Sequence, residues 1–209
     1  MLALEQSARC MQCALPLGPR LQAFGWTRCR HCKAKPDPNL QTVVCSDYTA
    51  PVDDWVQALK YRKGWGTVPM LADWLADRWQ REVQSATSSH WGPCTVMPVP
   101  SSPARLRQRG YNQAALLAKG LSTRLRWPLN TDTLLKTQDT QAQAGLDKAG
   151  RLHNLQNAFR VVKPVQALGP IALVDDVITT GATTAACIQA LRRAGAQRIL
   201  VMAICRTPE

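Results

Sequence analysis

The segment IALVDDVITTGATT, Ile171 to Thr184, constrains the fold more than any other stretch of the chain. Ile171, Ala172, Leu173 and Val174 form the unbroken apolar run expected of a strand buried on both faces of a parallel sheet. Two adjacent aspartates follow, then a turn rich in hydroxyls around Gly181, then the helical pattern GATTAACIQALRRAGA. In such sheets ligands bind beyond the carboxyl ends of the strands, so Asp175 and Asp176 are expected at a binding edge. Neighbouring carboxylates repel each other, and their placement makes sense if two adjacent sugar hydroxyls, or a divalent cation, share them. The turn Thr179, Thr180, Gly181, Ala182 and Thr183 offers outward N–H groups, close backbone approach and hydroxyl donors at a helix N-terminus, a cradle for a monophosphate. Acceptors for a diol beside a phosphate cradle together describe a ribose 5-phosphate.

The rest of the chain alternates in the same way. QTVVCSDY, CTVMPVP, NAFRVV and RILVMAIC read as strands, and LNTDTLLKT as a short strand or turn. PVDDWVQALKYR, TVPMLADWLADRWQREV and YNQAALLAKGLSTRL read as helices, the second carrying Leu71, Trp74, Leu75 and Trp79 at core spacing. Strands alternating with helices predict an α/β fold with a parallel sheet covered on both sides. SATSSHWGP reads as a loop, and Thr137 to Asn154 as either a flap or a surface loop.

Two other phosphate-binding folds are excluded by their missing parts. IALVDD resembles a Walker B strand, but no G-x-x-x-x-G-K-[ST] loop occurs. A dinucleotide fold needs G-x-G-x-x-G, and after Gly64 and Gly66 the third glycine position holds Pro69.

Eight cysteines are present, and four of them form the pairs Cys10-x-x-Cys13 and Cys29-x-x-Cys32, fifteen residues apart. Two-residue spacing lets both thiolates of a pair converge on one ion, and two pairs complete a closed tetrahedral shell. The surrounding segment, with Pro16, Gly18, Pro19 and Gly25, cannot bury enough apolar surface to fold alone. A structural Zn2+ site is expected there, in a knuckle and linker of residues 1–38 ahead of a main domain at 39–209. Cys45, Cys94, Cys187 and Cys205 sit in apolar patterns and are expected as buried fillers.

Net charge is +12, and between Ser101 and Arg126 Arg105, Arg107, Arg109, Lys119, Arg124 and Arg126 have no acidic neighbour. A surface of this kind concentrates polyanions such as pyrophosphate or nucleic acid. No apolar run is long enough to span a bilayer, and MLALEQSARC lacks the basic flank and apolar core of a signal peptide, so a cytoplasmic location without membrane insertion is expected.

IALVDDVITTGATT resembles the phosphoribosyl-pyrophosphate (PRPP) signature of type I phosphoribosyltransferases. ALKYR (58–62), PVPSSPARLRQRGYNQAALLA (98–118), QAGLDKAGRLHNLQNAF (143–159) and the four-cysteine knuckle narrow the resemblance to the ComF/GntX family of competence-associated, phosphoribosyltransferase-like proteins. The resemblance implies a Rossmann-like phosphoribosyltransferase domain, with Asp175 and Asp176 as catalytic acids facing the ribose hydroxyls. Thr179, Thr180, Gly181, Ala182 and Thr183 would wrap the 5-phosphate. Arg105 and Arg109 in the loop after VMPVP, with Lys60, Arg62 and Arg151, would meet pyrophosphate or nucleic acid. Mg2+ would accompany PRPP, and pyrophosphate release at C1 would be helped by neutralising the leaving charge. One departure stands out: Gly150, where the family often has an acid, precedes Arg151 and Asn154. Neither His90 nor His153 is placed as a general acid or base, so binding is better supported than turnover. The family's link to DNA uptake implies a second function, single-stranded nucleic-acid binding that reuses the phosphate sites, with DNA-uptake proteins as partners. Aromatic residues near the basic stretch are limited to Tyr111 and Trp127.

Overall fold

A computed structural model describes residues 8–85, 91–137 and 158–208. The N-terminal unit has two short helices, α1 (Pro19–Ala23) and α2 (Arg30–Ala34). There follow β1 (Leu40–Asp47), α3 (Val52–Tyr61), α4 (Val68–Ser85), β2 (Thr95–Pro98), α5 (Pro103–Arg109), α6 (Gln113–Leu125) and β3 (Leu134–Lys136). The chain ends with β4 (Phe159–Val161), β5 (Ile171–Ile178), α7 (Ala182–Arg193) and β6 (Ile199–Arg206).

The main sheet has the order β1-β6-β5-β2, and every pairing within it is parallel. Its central strands are buried on both faces: all of β6 is buried, as are Ile171 to Val174 of β5. That is why their sequences are continuous apolar runs rather than alternating ones. One face packs Ala172, Val174, Leu200 and Met202 against α3, α4 and α6. α3 turns Val52, Val56 and Leu59 inward at helical spacing, and α4 contributes Leu71, Leu75 and Trp79. The tryptophan stripe is therefore core, with Trp79 edge-on to Trp127 at 6.0 Å and Trp74 partly buried against Trp55 at 6.2 Å. The other face packs Ile171, Leu173, Ile199 and Val201 against Cys187, Ala190 and Leu191 of α7. Cys45, Cys94, Cys187 and Cys205 are all buried.

Three local expectations are corrected. NAFRVV does not join the parallel sheet; β4 pairs antiparallel with β3 in a separate ribbon. Each strand of that ribbon is three residues long and buries one side only, through Leu134 and Phe159, which pack on the α7 face. The basic loop after VMPVP is largely a helix, α5. Ser102 caps it, accepting a hydrogen bond from the Arg105 N–H at 3.3 Å, and Gly110 closes it in the left-handed conformation at φ 79°. Finally, β5 does not end at its aspartates but runs on to Ile178, because β6 continues alongside it as far as Arg206. Most of the SATSSHWGP loop and of the polar stretch from Thr137 to Asn154 lies outside the described residues, as do His90, Gly150, Arg151, His153 and Asn154.

Candidate ligand cavity and four-cysteine cluster

β2 ends at Pro98, paired with Val174, while β5 continues for four residues more. The step between them opens a cavity of about 310 Å³ at the carboxyl edge of the sheet. Its floor carries Asp175 and Asp176, and one wall is the loop from Thr179 to Thr184. The facing wall comes from α5 and the start of α6, with Arg105, Arg109, Asn112 and Gln113; Lys60, Tyr61 and Lys136 also line the cavity.

The loop owes its shape to Gly181, which sits at the N-cap of α7 with φ 76°, a conformation that disfavours any side chain bearing a Cβ. No side chain forms a cap there, and the nearest approach is a long 3.4 Å hydrogen bond from the Ala182 N–H to Thr180 Oγ1. A twelve-residue helix thus presents its positive end to the cavity. Thr179, Gly181 and Thr183 line that cavity. Thr180 does not; it lines a second cleft between the loop and the N-terminal unit, and Ala182 lines neither.

The acid pair is organised differently. The Asp176 backbone N–H donates to Asp175 Oδ1 at 2.9 Å. Asp176 is 3% exposed, and Lys60 Nζ lies 2.9 Å from its Oδ2. That approach is one of charge, since Oδ2 accepts no well-directed hydrogen bond. Burial and the Asp176 charge push Asp175 well above the usual carboxylate range, outweighing the Asp176 backbone N–H and the Lys60 charge, which lower it. Burial alone would lower Lys60, but the Asp176 carboxylate outweighs it and holds the ammonium above its ordinary value. With one carboxylate committed to an ammonium and the other hydrogen-bonded and favouring its proton, the pair does not fit as a Mg2+ site of its own.

Lys60 is therefore at the cavity but faces Asp176. Arg62 is the residue that ends α3, exposed and outside the lining. Arg109 stacks its guanidinium 4.9 Å from the Tyr61 ring and donates to Tyr61 Oη and Gln113 Oε1, each at 3.3 Å. Tyr61 is 70% exposed at the cavity mouth. Tyr61, Gln113 and Lys136 were not singled out from the sequence. Only the central position of Tyr61 in the basic triplet KYR could have pointed to it.

At the N-terminus the thiol sulfurs of Cys10, Cys13, Cys29 and Cys32 lie within 4.8 Å of one another, a cluster that could hold a metal ion. The Cys13 and Cys29 sulfurs are 3.8 Å apart, in hydrogen-bond contact and without a disulfide. Zn–S bonds of about 2.3 Å in a tetrahedron place sulfurs roughly 3.8 Å apart, so the donor set fits zinc. Without an ion the thiols share their protons unevenly: hydrogen bonding from Cys13 lowers Cys10 to about 4, the same bond and burial raise Cys13, and burial pushes Cys32 up to about 12.

No family model matches the chain. Curated proteins do. DNA utilization protein YhgH of Salmonella typhi is 37% identical over 206 residues, covering 97% of this chain and 86% of its own length. Competence protein F of Haemophilus influenzae is 33% identical over 194 residues, covering 90% and 82%. The chain belongs to the ComF/GntX family. The Escherichia coli K12 family member, also named DNA utilization protein YhgH, is 34% identical over 200 residues, covering 95% of this chain and 84% of its own. Solved structures similar to this family member include the allosteric regulatory enzyme of purine biosynthesis, at TM-score 0.43 and 18% identity over 67% of this chain and 26% of that one. Hypoxanthine phosphoribosyltransferase from Trypanosoma cruzi, in complex with IMP, matches at TM-score 0.35 and 10% identity, covering 66% and 64%. No helix among the described residues is long and apolar enough to cross a membrane.

Proposed function

We propose that the chain is a phosphoribosyltransferase-like DNA-uptake protein whose cavity takes PRPP as its Mg2+ complex. The observation that carries this reading is that one cavity brings together the acid pair, the Thr179–Thr184 loop and the arginines of α5. The amides and hydroxyls of the loop suit the 5-phosphate, and the helix end favours its charge. Asp176 Oδ2 retains acceptor capacity for a sugar hydroxyl, and Asp175 can donate or accept according to its proton. Arg105 and Arg109 suit the pyrophosphate because a planar guanidinium takes two phosphate oxygens at once. As the bond at C1 breaks, these cations offset the charge gathering on the leaving group. Mg2+ belongs to the substrate complex and rests on its phosphates. The four cysteines hold a structural Zn2+ in the unit of residues 1–38, and Arg151 remains a proposed phosphate contact. Isothermal titration of Mg-PRPP tests the reading. Wild type should bind, and Asp175→Asn/Asp176→Asn should bind at least tenfold more weakly, the loss of about 1.4 kcal/mol. Equal heats from both proteins, or none from either, would remove it.

A second reading has its own support. The names of the curated relatives concern DNA utilization and competence, and the exposed ring of Tyr61, braced by Arg109, is suited to stacking a base. Single-stranded oligonucleotides should bind with an affinity that falls steeply with salt, as counterion release requires. Salt-independent binding would count against it.

A further inference from the structure

Two demands that an acid pair can serve are separated here. A sugar hydroxyl needs an acceptor lone pair and little net charge, whereas a divalent cation needs net negative charge from its oxygen ligands. Asp176 meets the first demand and not the second: its side chain is 4% exposed, its charge is matched by Lys60 at 2.9 Å, and its Oδ2 still accepts no directed hydrogen bond. The wider cavity tilts the same way. Among the described residues its lining carries four cations, Lys60, Arg105, Arg109 and Lys136, against two carboxylates, Asp175 and Asp176. A free dication is repelled by such a lining, and a polyanion is drawn in.

We propose that Lys60 is the resident counter-cation of the acid pair. It holds Asp176 ready for a hydroxyl and denies the two carboxylates a divalent metal of their own, so metal enters the cavity only on a phosphorylated ligand. Lys60 is thus a positioning residue for Asp176 and a determinant of metal selectivity. The proposal rests on the reading of this cavity as a PRPP site, yet it can be tested without PRPP.

The probe is Mn2+ alone, followed by electron paramagnetic resonance on the zinc-loaded protein. Mn2+ prefers oxygen ligands, so the thiolate cluster does not compete for it. Wild type and Asp176→Asn should bind Mn2+ equally weakly, because the acid pair offers no site in either. Lys60→Gln should gain a site at least roughly tenfold tighter, the scale on which a close charge shifts a carboxylate's affinity for a cation. Lys60→Gln/Asp176→Asn should lose that site, and Lys60→Arg, which keeps the charge, should not acquire it. A wild-type Mn2+ site abolished by Asp176→Asn would overturn the proposal, and so would a folded Lys60→Gln protein that gains none. If Lys60→Gln fails to fold, the comparison of wild type with Asp176→Asn still decides. A parallel PRPP titration separates the two ideas: no PRPP binding with the expected Mn2+ pattern defeats the substrate reading and leaves the role of Lys60 standing.

Discussion

The four-cysteine unit and the sheet domain differ in what they have to hold them together. The unit's apolar cluster consists of Cys10, Leu17 and Cys32, with Cys13, Leu21 and Cys29 partly buried beside it, so the sulfurs are most of its core. The sheet domain buries strand after strand between two helical layers. With zinc bound as proposed, a region without a core would depend on that one ion, whereas a region with two apolar layers depends on many small contributions. Removing one kind of support should therefore collapse the first region at once and the second only by degrees.

The largest effect tests that asymmetry directly. Chelation, or the double substitution Cys10→Ser/Cys32→Ser, should remove the metal and unfold the N-terminal unit, because structural zinc in such units supplies about 10–16 kcal/mol. Native mass spectrometry should show loss of one zinc, and hydrogen exchange should lose protection across residues 8–36 while β5 and β6 keep theirs. If the sheet loses protection as well, the two regions form one cooperative unit and the contrast fails.

Leu173→Ala is the converse experiment. Leu173 is fully buried against the α7 face, and truncating such a residue costs about 2–5 kcal/mol through lost transfer and a residual cavity. The unfolding free energy from urea titration should fall by that amount, with zinc content unchanged. A drop in bound zinc would show that the metal site leans on the sheet.

The sheet domain also contains a region that opposes its own stability. Asp175 is held above its ordinary 3.8 by burial and by Asp176, so the folded state binds its proton more tightly than the unfolded chain does. The sign follows from linkage. Stability from this group is complete below the unfolded value and declines as pH rises from about 3.8 through the raised folded value. Asp175→Asn resembles the protonated acid at every pH. Its melting temperature should therefore exceed that of wild type at pH 8 and converge with it at pH 4, each kcal/mol appearing as about 2–4 °C. A constant offset across that range would mean that Asp175 titrates alike in both states.

What the sequence disclosed follows the same division. Spacing alone picked out the four thiols that the fold brings together, because such clustering is set locally: two residues between thiols, then a turn-rich connection. The strand–turn–helix around Gly181 was legible for a similar reason, since apolar continuity, a left-handed glycine and helical periodicity all lie within one short segment. Lys60 was not legible as the partner of Asp176. The pairing depends on where the fold brings the end of α3 relative to the carboxyl end of β5, and residues far apart in sequence carry no periodic signal of it. Helix α5 was missed because its seven residues are too short to establish an amphipathic pattern beside so many arginines. Ribbon β3–β4 was half legible: the strand was recognised, but three residues do not specify a partner or a direction.

The smallest predicted effect sits where the two regions meet. Thr42 on β1 donates its N–H to Met11 O at 2.8 Å and its hydroxyl to Gln12 O at 2.7 Å, within the first cysteine hairpin. Arg9 reaches Asp47 at 2.9 Å with its own side chain 7% exposed and that of Asp47 32%, and it also donates to Ala14 O at 3.1 Å. Arg9 thus braces the hairpin from inside and the end of β1 from outside. A double-mutant cycle with Arg9→Ala and Asp47→Ala should give a coupling of about 1 kcal/mol in the zinc-loaded protein, more than a fully exposed pair typically gives because Arg9 is desolvated. After chelation the same cycle should give a coupling near zero, since an unfolded hairpin cannot hold Arg9 against β1. A coupling that survived metal removal would mean that Arg9 docks on the sheet by its own packing. The hairpin would then be ordered by the sheet as well as by the ion.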